Sequence, residues 1–373
     1  MEKPKNELMS KRERVEATLD FKETDRVPVY DLFLNDAVIE YFTGKIAPPG
    51  KEGNKLRAQA IGHMLDMTRG ATFPPQEPGD HTDEFGLVKR WEKWRDCGFV
   101  NKPFSDESGA KNYLVAIIKK LKLDIKNLDL KQYAVNFREE FLETQNYIGD
   151  DTVQLLRESG PGLDWIRADL GLELFAYISA DGPELISEYL ELYTEREVMM
   201  IHAIADRELS PCTLTYGDIA CKGKLLHSPS FLRQEFFPCL KRINDAFHEH
   251  DIKCLFHSDG YIMEIIPDLI GAGCDGLNPI ETVAGMDIAE VKRLYGDKLF
   301  LAGGIDISQL MASGTPDDVR NVCCAAIKIA YPGYFIGSTT ELDNGANMEN
   351  IFAMVETAWQ FKPPKILPKK HEN

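Results

Sequence analysis

His257 and Asp259 stand two residues apart at the end of an apolar run, Lys253-Cys254-Leu255-Phe256-His257-Ser258-Asp259-Gly260. In a strand, residues i and i+2 face the same side, so an imidazole and a carboxylate point into one space. That pair suits a metal ion or a proton relay. A carboxylate from a later strand end, Glu341, completes a His, Asp, Glu set able to hold zinc or another divalent ion. A buried histidine satisfied by a neighbouring carbonyl is the competing reading of His257.

Other short apolar or β-branched runs close in polar residues in the same way. Asp31 lies near the end of 26–33, Glu158 ends 152–158, and Tyr216 and Asp218 end the run from Thr213. Asn278 and Glu281 follow Gly276-Leu277, Asp306 follows Gly303-Gly304-Ile305, and Thr340-Glu341 follow 334–337. Helical periodicity fills the intervals 229–248, 261–272, 287–295, 316–330 and 347–359. Strand alternating with helix implies an α/β fold with a parallel sheet. At 373 residues the chain fits one domain spanning 1–373, a (β/α)8 TIM barrel with N-terminal helical and hairpin elaborations. A barrel gathers the C-terminal ends of its strands at one mouth, so these polar residues converge there although they are far apart in sequence. Ser258, Asp306 and Ser338 suit helix caps and loop closures rather than chemistry.

The first half of the chain carries the elaborations. Ser10 with Glu13 forms a capping-box signature for a helix through Leu19. A strand at 26–33 follows, then a helix at 54–67 among Pro48, Pro49, Pro74 and Pro75, and a short second strand within 66–70. Residues 83–91 read as a hairpin, and the segment of about 100–150 as an insertion or cap whose stretch 107–143 forms two exposed helices. Helices at 163–170, 172–180 and 183–208 follow the third strand. The tail from Lys362 to Lys370 is short and basic and is expected to fray.

A formal net charge of −17 argues against binding nucleic acid or an anionic membrane surface by simple attraction. No apolar run of about 18 residues occurs, and the N-terminus lacks the apolar stretch of a signal peptide, so a cytoplasmic protein is expected. The eight cysteines include no Cys-x-x-Cys pair and read as reduced thiols, with Cys212, Cys254 and Cys274 acting as small hydrophobes. Gly303-Gly304 lacks the G-x-G-x-x-G spacing of a dinucleotide site. His63 reads as an ordinary helix position, and His81 with Asp83 and Glu84 as an exposed turn.

Taken in order, Thr24-Asp25-Arg26-Val27-Pro28-Val29, Asp83-Glu84-Phe85-Gly86, Ser228-Pro229 through Pro238 and His257-Ser258-Asp259-Gly260 resemble the uroporphyrinogen decarboxylase superfamily. The run from Gly271 through Asn278-Pro279 to Asp287, Gly303-Gly304-Ile305-Asp306 and Glu349-Asn350-Ile351 extend the resemblance over nearly the whole chain. Porphyrinogen-decarboxylating members carry an Arg-rich segment after the first strand. Here Asp31-Leu32-Phe33-Leu34-Asn35-Asp36 carries acids, which would repel that substrate. The corrinoid-dependent methyltransferase branch looks closer. Its thiol-methylating members hold zinc through a His-x-Cys pair and a later Cys; His257 matches the histidine, Asp259 replaces the first cysteine, and Thr340-Glu341 fall near the second.

The resemblance to O-demethylating methyltransferases implies transfer of a methyl group from a small donor, a methoxylated aromatic, to a Co(I) corrinoid on a separate corrinoid protein. In that reading His257, Asp259 and Glu341 polarise the leaving oxygen, directly or through zinc, and Tyr216 or Asp218 orients the donor. Asn278 or Glu281 binds its ring substituents, with Asp31 a further donor-binding candidate. No Asp-x-His-x-x-Gly cobalamin motif occurs in the chain itself. A homodimer is the family expectation. A decarboxylase or lyase acting on a non-porphyrin carboxylate is the alternative.

Overall fold

A computed structural model describes residues 7–70 and 77–362, so Pro74, Pro75, the extreme N-terminus and the basic tail after Lys362 lie outside the described residues. Eight parallel strand positions form a ring. They are β1 (Tyr30–Asp31), β2 (Met67–Thr68), β3 (the two short pieces Val153–Gln154 and Glu158–Ser159), β4 (Cys212–Tyr216), β5 (Lys253–His257), β6 (Gly276–Asn278), β7 (Phe300–Ile305) and β8 (Tyr334–Ser338). Neighbours pair in chain order, and Leu156 N donates to Cys212 O at 2.9 Å, which carries the ring across the gap inside β3. Val29 pairs with Ile336, and Ile336 N donates to Pro28 O at 3.0 Å, which returns β8 to β1 and closes the (β/α)8 barrel.

Alternation sorts the side chains. Tyr30, Met67, Val153, Leu155, Cys212, Leu214, Leu255, Phe300, Ala302 and Phe335 fill the barrel interior. The residues between them, such as Phe256, Leu277, Leu301 and Ile336, pack outward into the helical layer. With both faces covered, the strands read as continuous apolar runs, and each buried Leu, Ile or Phe contributes roughly 1.5–3 kcal/mol. In β3 the alternation slips. Leu156 packs among outer helices beside Phe141 and Ile201, and Arg157 also turns outward to Tyr133 Oη (2.8 Å) and Glu197 (2.7 Å). Two successive outward residues form a bulge, and Glu158 consequently turns towards the mouth.

The helices follow their caps. Thr315 and Asp318 form a capping box for Pro316–Ala330, and Asn347 caps Met348–Gln360. The Ser10 and Glu13 capping box starts Lys11–Leu19 as expected. Several boundaries differ from expectation. The helix read at 54–67 is Lys51–Met64, because Met67 is taken into β2. The interval 261–272 is shorter, Met263–Ile265 and Ile266–Gly271. The hairpin read at 83–91 is a three-stranded antiparallel sheet of Gly79–Thr82, Val88–Trp91 and Asp96–Asn101. Long helices at Glu107–Asn127 and Leu130–Ile148 complete the connection from β2 to β3.

That antiparallel sheet joins the barrel rim at two separate places. Lys93 and Trp94 bond Asp36 beyond β1, at 2.6 and 3.1 Å, and Arg95 bonds Glu341 beyond β8. Farther along, Lys102 donates to Ala168 O (2.9 Å) and Lys89 lies 3.7 Å from Asp169, both on the helix Leu163–Leu170. Among the described residues no helix is long and apolar enough to cross a membrane. The seven described cysteines are free thiols. His63, in the helix Lys51–Met64, stacks on Phe42 of the preceding helix Asp36–Thr43, and His81 lies in an exposed strand with Nε2 2.7 Å from Glu77 O.

Candidate functional site

Register builds the site. His257 is paired with Tyr216 on one side and Asn278 on the other, so three consecutive strands present one row of inward side chains at their C-terminal ends. Two residues past Tyr216 comes Asp218, and two past His257 comes Asp259; a carboxylate oxygen of each lies 3.9 Å from His257 Nε2. Ligand atoms of Asp218, His257 and Asp259 all fall within 4.8 Å of one another.

His257 is held from behind. Its Nδ1 lies 2.7 Å from Asn278 Oδ1, while Asn278 Nδ2 donates to Ala302 O at 3.3 Å. The Ala302 carbonyl decides the amide's orientation, since a flipped Asn278 would set oxygen against oxygen. Nδ1 therefore carries the proton and donates, which leaves Nε2 as the atom facing the two carboxylates. A lone pair facing two anions is an arrangement that a proton or a cation must reconcile. Asp259 Oδ1 is buried with no hydrogen-bond partner. Its carboxyl is pushed up to about 6 by burial and by the nearby Asp218, Glu281 and Glu341, against the pull of His257.

Gly260 shapes the turn after this row. Its φ is +93°, and a Cβ there would lie 2.6 Å from the backbone of Ala220 and Cys221, so only glycine fits. The Gly260 N–H donates to Glu281 Oε2 at 2.6 Å, which places Glu281 beside Asp259 rather than free in the mouth.

The other expected site residues are distributed as follows. Tyr216 Oη accepts from Trp165 Nε1 at 2.9 Å. Asp31 is buried between β1 and β8 and accepts from Ser338 N (2.7 Å) and Ser338 Oγ (2.9 Å); burial pushes its carboxyl up to about 7. Asn278 is engaged by His257 and Ala302, so it positions the imidazole rather than meeting a ligand's ring. Glu341 does not join the cluster. Its carboxylate is held by Arg95, and the third donor beside His257 and Asp259 is Asp218 instead. Asp306 is a cap, accepting from the N–H groups of Ser308, Gln309 and Leu310.

Sequence reasoning missed a supporting layer. Asp164 accepts from Asp218 N (3.0 Å) and from Arg167 (2.9 Å), and Arg167 also bonds the Asp218 carbonyl. Burial and the Asp218 charge push the Asp164 carboxyl up to about 6. Arg69, directly after β2, grips Glu158 through two bonds of 3.0 and 2.7 Å. The only available signal was position: Arg69 and Glu158 sit at strand ends, and Asp164 and Arg167 open the helix after the Ser159-Gly160-Pro161-Gly162 loop.

The donor set fits a divalent ion: one imidazole nitrogen and two carboxylates, one of them with an orphaned buried oxygen, form a borderline-to-hard site. A second group, His248, Cys254 and Asp275, lies at the opposite ends of β5 and β6. Asp275 there accepts from His248 (2.8 Å), Cys254 N (2.8 Å) and Lys253 (3.1 Å), a complete structural role. The 490 Å³ cavity lined by Phe137, Arg138, Arg207 and His250 is built from outer helices and does not touch the His257 cluster.

The fold is similar to a methyltransferase from Methanosarcina mazei, with a TM-score of 0.68 at 16% identity, covering 94% of this chain and 98% of that one. A sugar phosphate isomerase/epimerase from Parabacteroides distasonis (TM-score 0.36, 11% identity, 90% and 95% covered) and a chitinase from Chromobacterium violaceum (0.37, 7%, 88% and 98%) are much more distant. No curated protein sequence matches the chain. The sequence profile described as uroporphyrinogen decarboxylase (URO-D) matches residues 173–361, just over half of the chain and the part that contains β4 to β8 with Asp218, His257 and Asp259. The chain therefore belongs to the uroporphyrinogen decarboxylase family.

Proposed function

We propose that this protein transfers a methyl group from a small methylated donor, a methoxylated aromatic compound, to the Co(I) corrinoid of a separate corrinoid protein. The observation that carries the reading is the Asp218, His257, Asp259 cluster, with Asn278 fixing the imidazole, at the mouth of a barrel similar in fold to a methyltransferase. An aryl methyl ether resists cleavage because phenolate is a poor leaving group, so the enzyme must relieve the charge that develops on the ether oxygen.

The corrinoid, when its protein is docked, supplies as Co(I) the electron pair that takes the methyl carbon. The C–O bond breaks with its electron pair left on oxygen, and that oxygen gains a proton. With no ion held there, Asp259 suits the proton-donating role, because burial and the neighbouring acids raise its carboxyl; as a metal ligand it is the carboxylate, and the proton then comes from solvent. Asp218, His257 and Asp259 would hold a divalent ion such as zinc, which supplies Lewis acidity towards the same oxygen. Trp165 and Tyr216, linked through 2.9 Å, offer an aromatic flank for the donor ring.

The test mixes the protein with reduced Co(I) cobalamin and a panel of methoxylated aromatics and methylamines while the corrinoid spectrum is recorded. The expected result is loss of the Co(I) bands with methoxylated aromatics only. No spectral change with any donor, together with release of CO2 from a carboxylated ligand, would replace this reading by a decarboxylase.

A further inference from the structure

Carboxylates crowd the barrel mouth. Asp218, Asp259, Glu281 and Glu341 come from the loops after β4, β5, β6 and β8, and Asp164 from the helix after β3. The repulsion among them is part of what raises Asp259 and Asp164. Four cations that reach this region are already committed. Arg69 is bound through Nε and Nη2 by Glu158, and Arg167 by Asp164 and the Asp218 carbonyl. Arg95 bonds Glu341 and lies 3.6 Å from Asp343, and Lys89 lies 3.7 Å from Asp169 with its ammonium over the rings of Phe99 and Trp165.

A neutral donor, by contrast, stands open. Tyr30 points into the barrel, is 2% exposed, and its hydroxyl has no hydrogen-bond partner. Arg69, Glu158, Asp31 and Cys212 are its titratable neighbours, so the hydroxyl lies inside the barrel between the ends of β2 and β3 and the start of β4. An orphaned hydroxyl at such a place is able to bond an acceptor oxygen of a ligand.

We propose that the methyl donor admitted here is an uncharged methoxyarene, a methoxyphenol without a carboxylate, selected by a mouth rich in carboxylates at which Arg69, Arg95 and Arg167 are each already held by an acid, with the Tyr30 hydroxyl inside the barrel below it. The proposal rests on the methyl-transfer reading above. Even with a divalent ion offsetting Asp218 and Asp259, a carboxylated donor would bring a further anion beside Glu281, or would have to pull Arg69 from Glu158 or Arg95 from Glu341. Each exchange leaves an acid without its partner. An uncharged ring incurs neither cost.

Beside Arg95 and Glu341 lies a recess of about 300 Å³, also lined by Ser308, Thr340, Asp343 and Gly345. Neutralising Glu341 leaves Arg95 facing this recess with only the more distant Asp343, which supplies the open cation that the native mouth lacks. Glu341→Gln therefore admits a carboxylated donor without touching the His257 cluster.

The test compares 2-methoxyphenol, 4-hydroxy-3-methoxybenzoate and phenyltrimethylammonium as donors to Co(I) cobalamin, with the native chain and Glu341→Gln. The native protein is expected to favour 2-methoxyphenol over the benzoate by at least about tenfold in kcat/KM, and Glu341→Gln to narrow that ratio by about tenfold. A native preference for the benzoate or for the ammonium donor overturns the proposal while leaving methyl transfer standing. An unchanged ratio in a folded Glu341→Gln protein also overturns it. If no donor reacts, methyl transfer fails, and calorimetric binding of the same ligands still decides charge selection: tighter binding of 2-methoxyphenol than of the benzoate supports it, and the reverse order overturns it.

Discussion

Replacing Asn278 by leucine removes the acceptor of His257 Nδ1 while keeping the branched shape of the side chain. The two atoms are 2.7 Å apart, with His257 6% and Asn278 3% exposed, so water cannot take the amide's place. A buried N–H without an acceptor costs about 1–3 kcal/mol. The imidazole can avoid that cost by moving its proton to Nε2, which turns an N–H towards Asp218 and Asp259 and spoils the nitrogen as a ligand. Loss of such a supporting contact lowers metal affinity by about 10–100-fold, or about 1.4–2.7 kcal/mol, so the two routes to the magnitude agree.

Zinc titration against a chromophoric chelator measures this on the native chain, Asn278→Leu and Asn278→Asp. The leucine variant should bind zinc about 10–100-fold more weakly, and the aspartate variant, which keeps an acceptor for Nδ1, should recover native affinity or exceed it. Thermal unfolding without added metal checks that each variant is folded. A leucine variant within about twofold of the native affinity would refute the role given to Asn278. A native chain with no affinity for any divalent ion would remove the ligand role of His257 altogether.

Asp218→Asn should weaken zinc binding at least tenfold while Glu341→Gln leaves it within about twofold; the opposite pattern in the same titration would restore Glu341 as the third ligand. Asp31 has a folded-state carboxyl near 7 against an ordinary 3.8, so the folded chain holds the proton more tightly and stability falls as pH rises from about 4 to 7. Three units correspond to roughly 4 kcal/mol, and Asp31→Asn should flatten that decline in urea unfolding; equal pH slopes in the two proteins contradict it. Asp66, fully buried, accepts from Arg14 (2.7 Å), Arg26 (2.8 and 2.9 Å) and Val29 N (2.8 Å), and Asp66→Asn should cost about 3–5 kcal/mol in the same assay. A loss under about 1 kcal/mol would show that the two arginines find other partners.

How much of this was legible depended on distance along the chain. The helix Pro316–Ala330 was readable to the residue because its start is written locally, in Thr315, Pro316 and Asp318. The strands β4 to β8 were readable because burial on both faces makes them short apolar runs. The pair His257 and Asp259 followed from a spacing of two. Glu341 did not. Arg95, 246 residues earlier, takes its carboxylate, and no local pattern announces that a turn of the antiparallel sheet will reach the β8 loop. Glu158 illustrates a second limit: strict alternation from Leu155 would turn Arg157 inward, and only packing of Leu156 and Arg157 against outer helices reveals the slip.

Parallel register explains why Asp218 rather than Glu341 completes the cluster. Tyr216 and His257 are paired across β4 and β5, so the residues two places beyond each occupy equivalent points on adjacent loops. Asp218 and Asp259 are those residues, and Asp259 N donates to Asp218 Oδ1 at 3.2 Å, tying the loops together. Glu341 comes from β8, separated from β5 by β6 and β7 on one side, so nothing in the register brings it to Nε2. The same geometry gives Asn278 its place, as the residue paired with His257 on β6. A ligand set drawn from adjacent strands with its support on the next needs no long loop to assemble it, and its precision comes from the ladder of backbone bonds beneath. The candidate cluster is therefore anchored on β4 to β6, while the antiparallel sheet, fixed to the loops beyond β1 and β8 and to the helix after β3, brings Lys93, Arg95 and Lys89 to the acids of the rim.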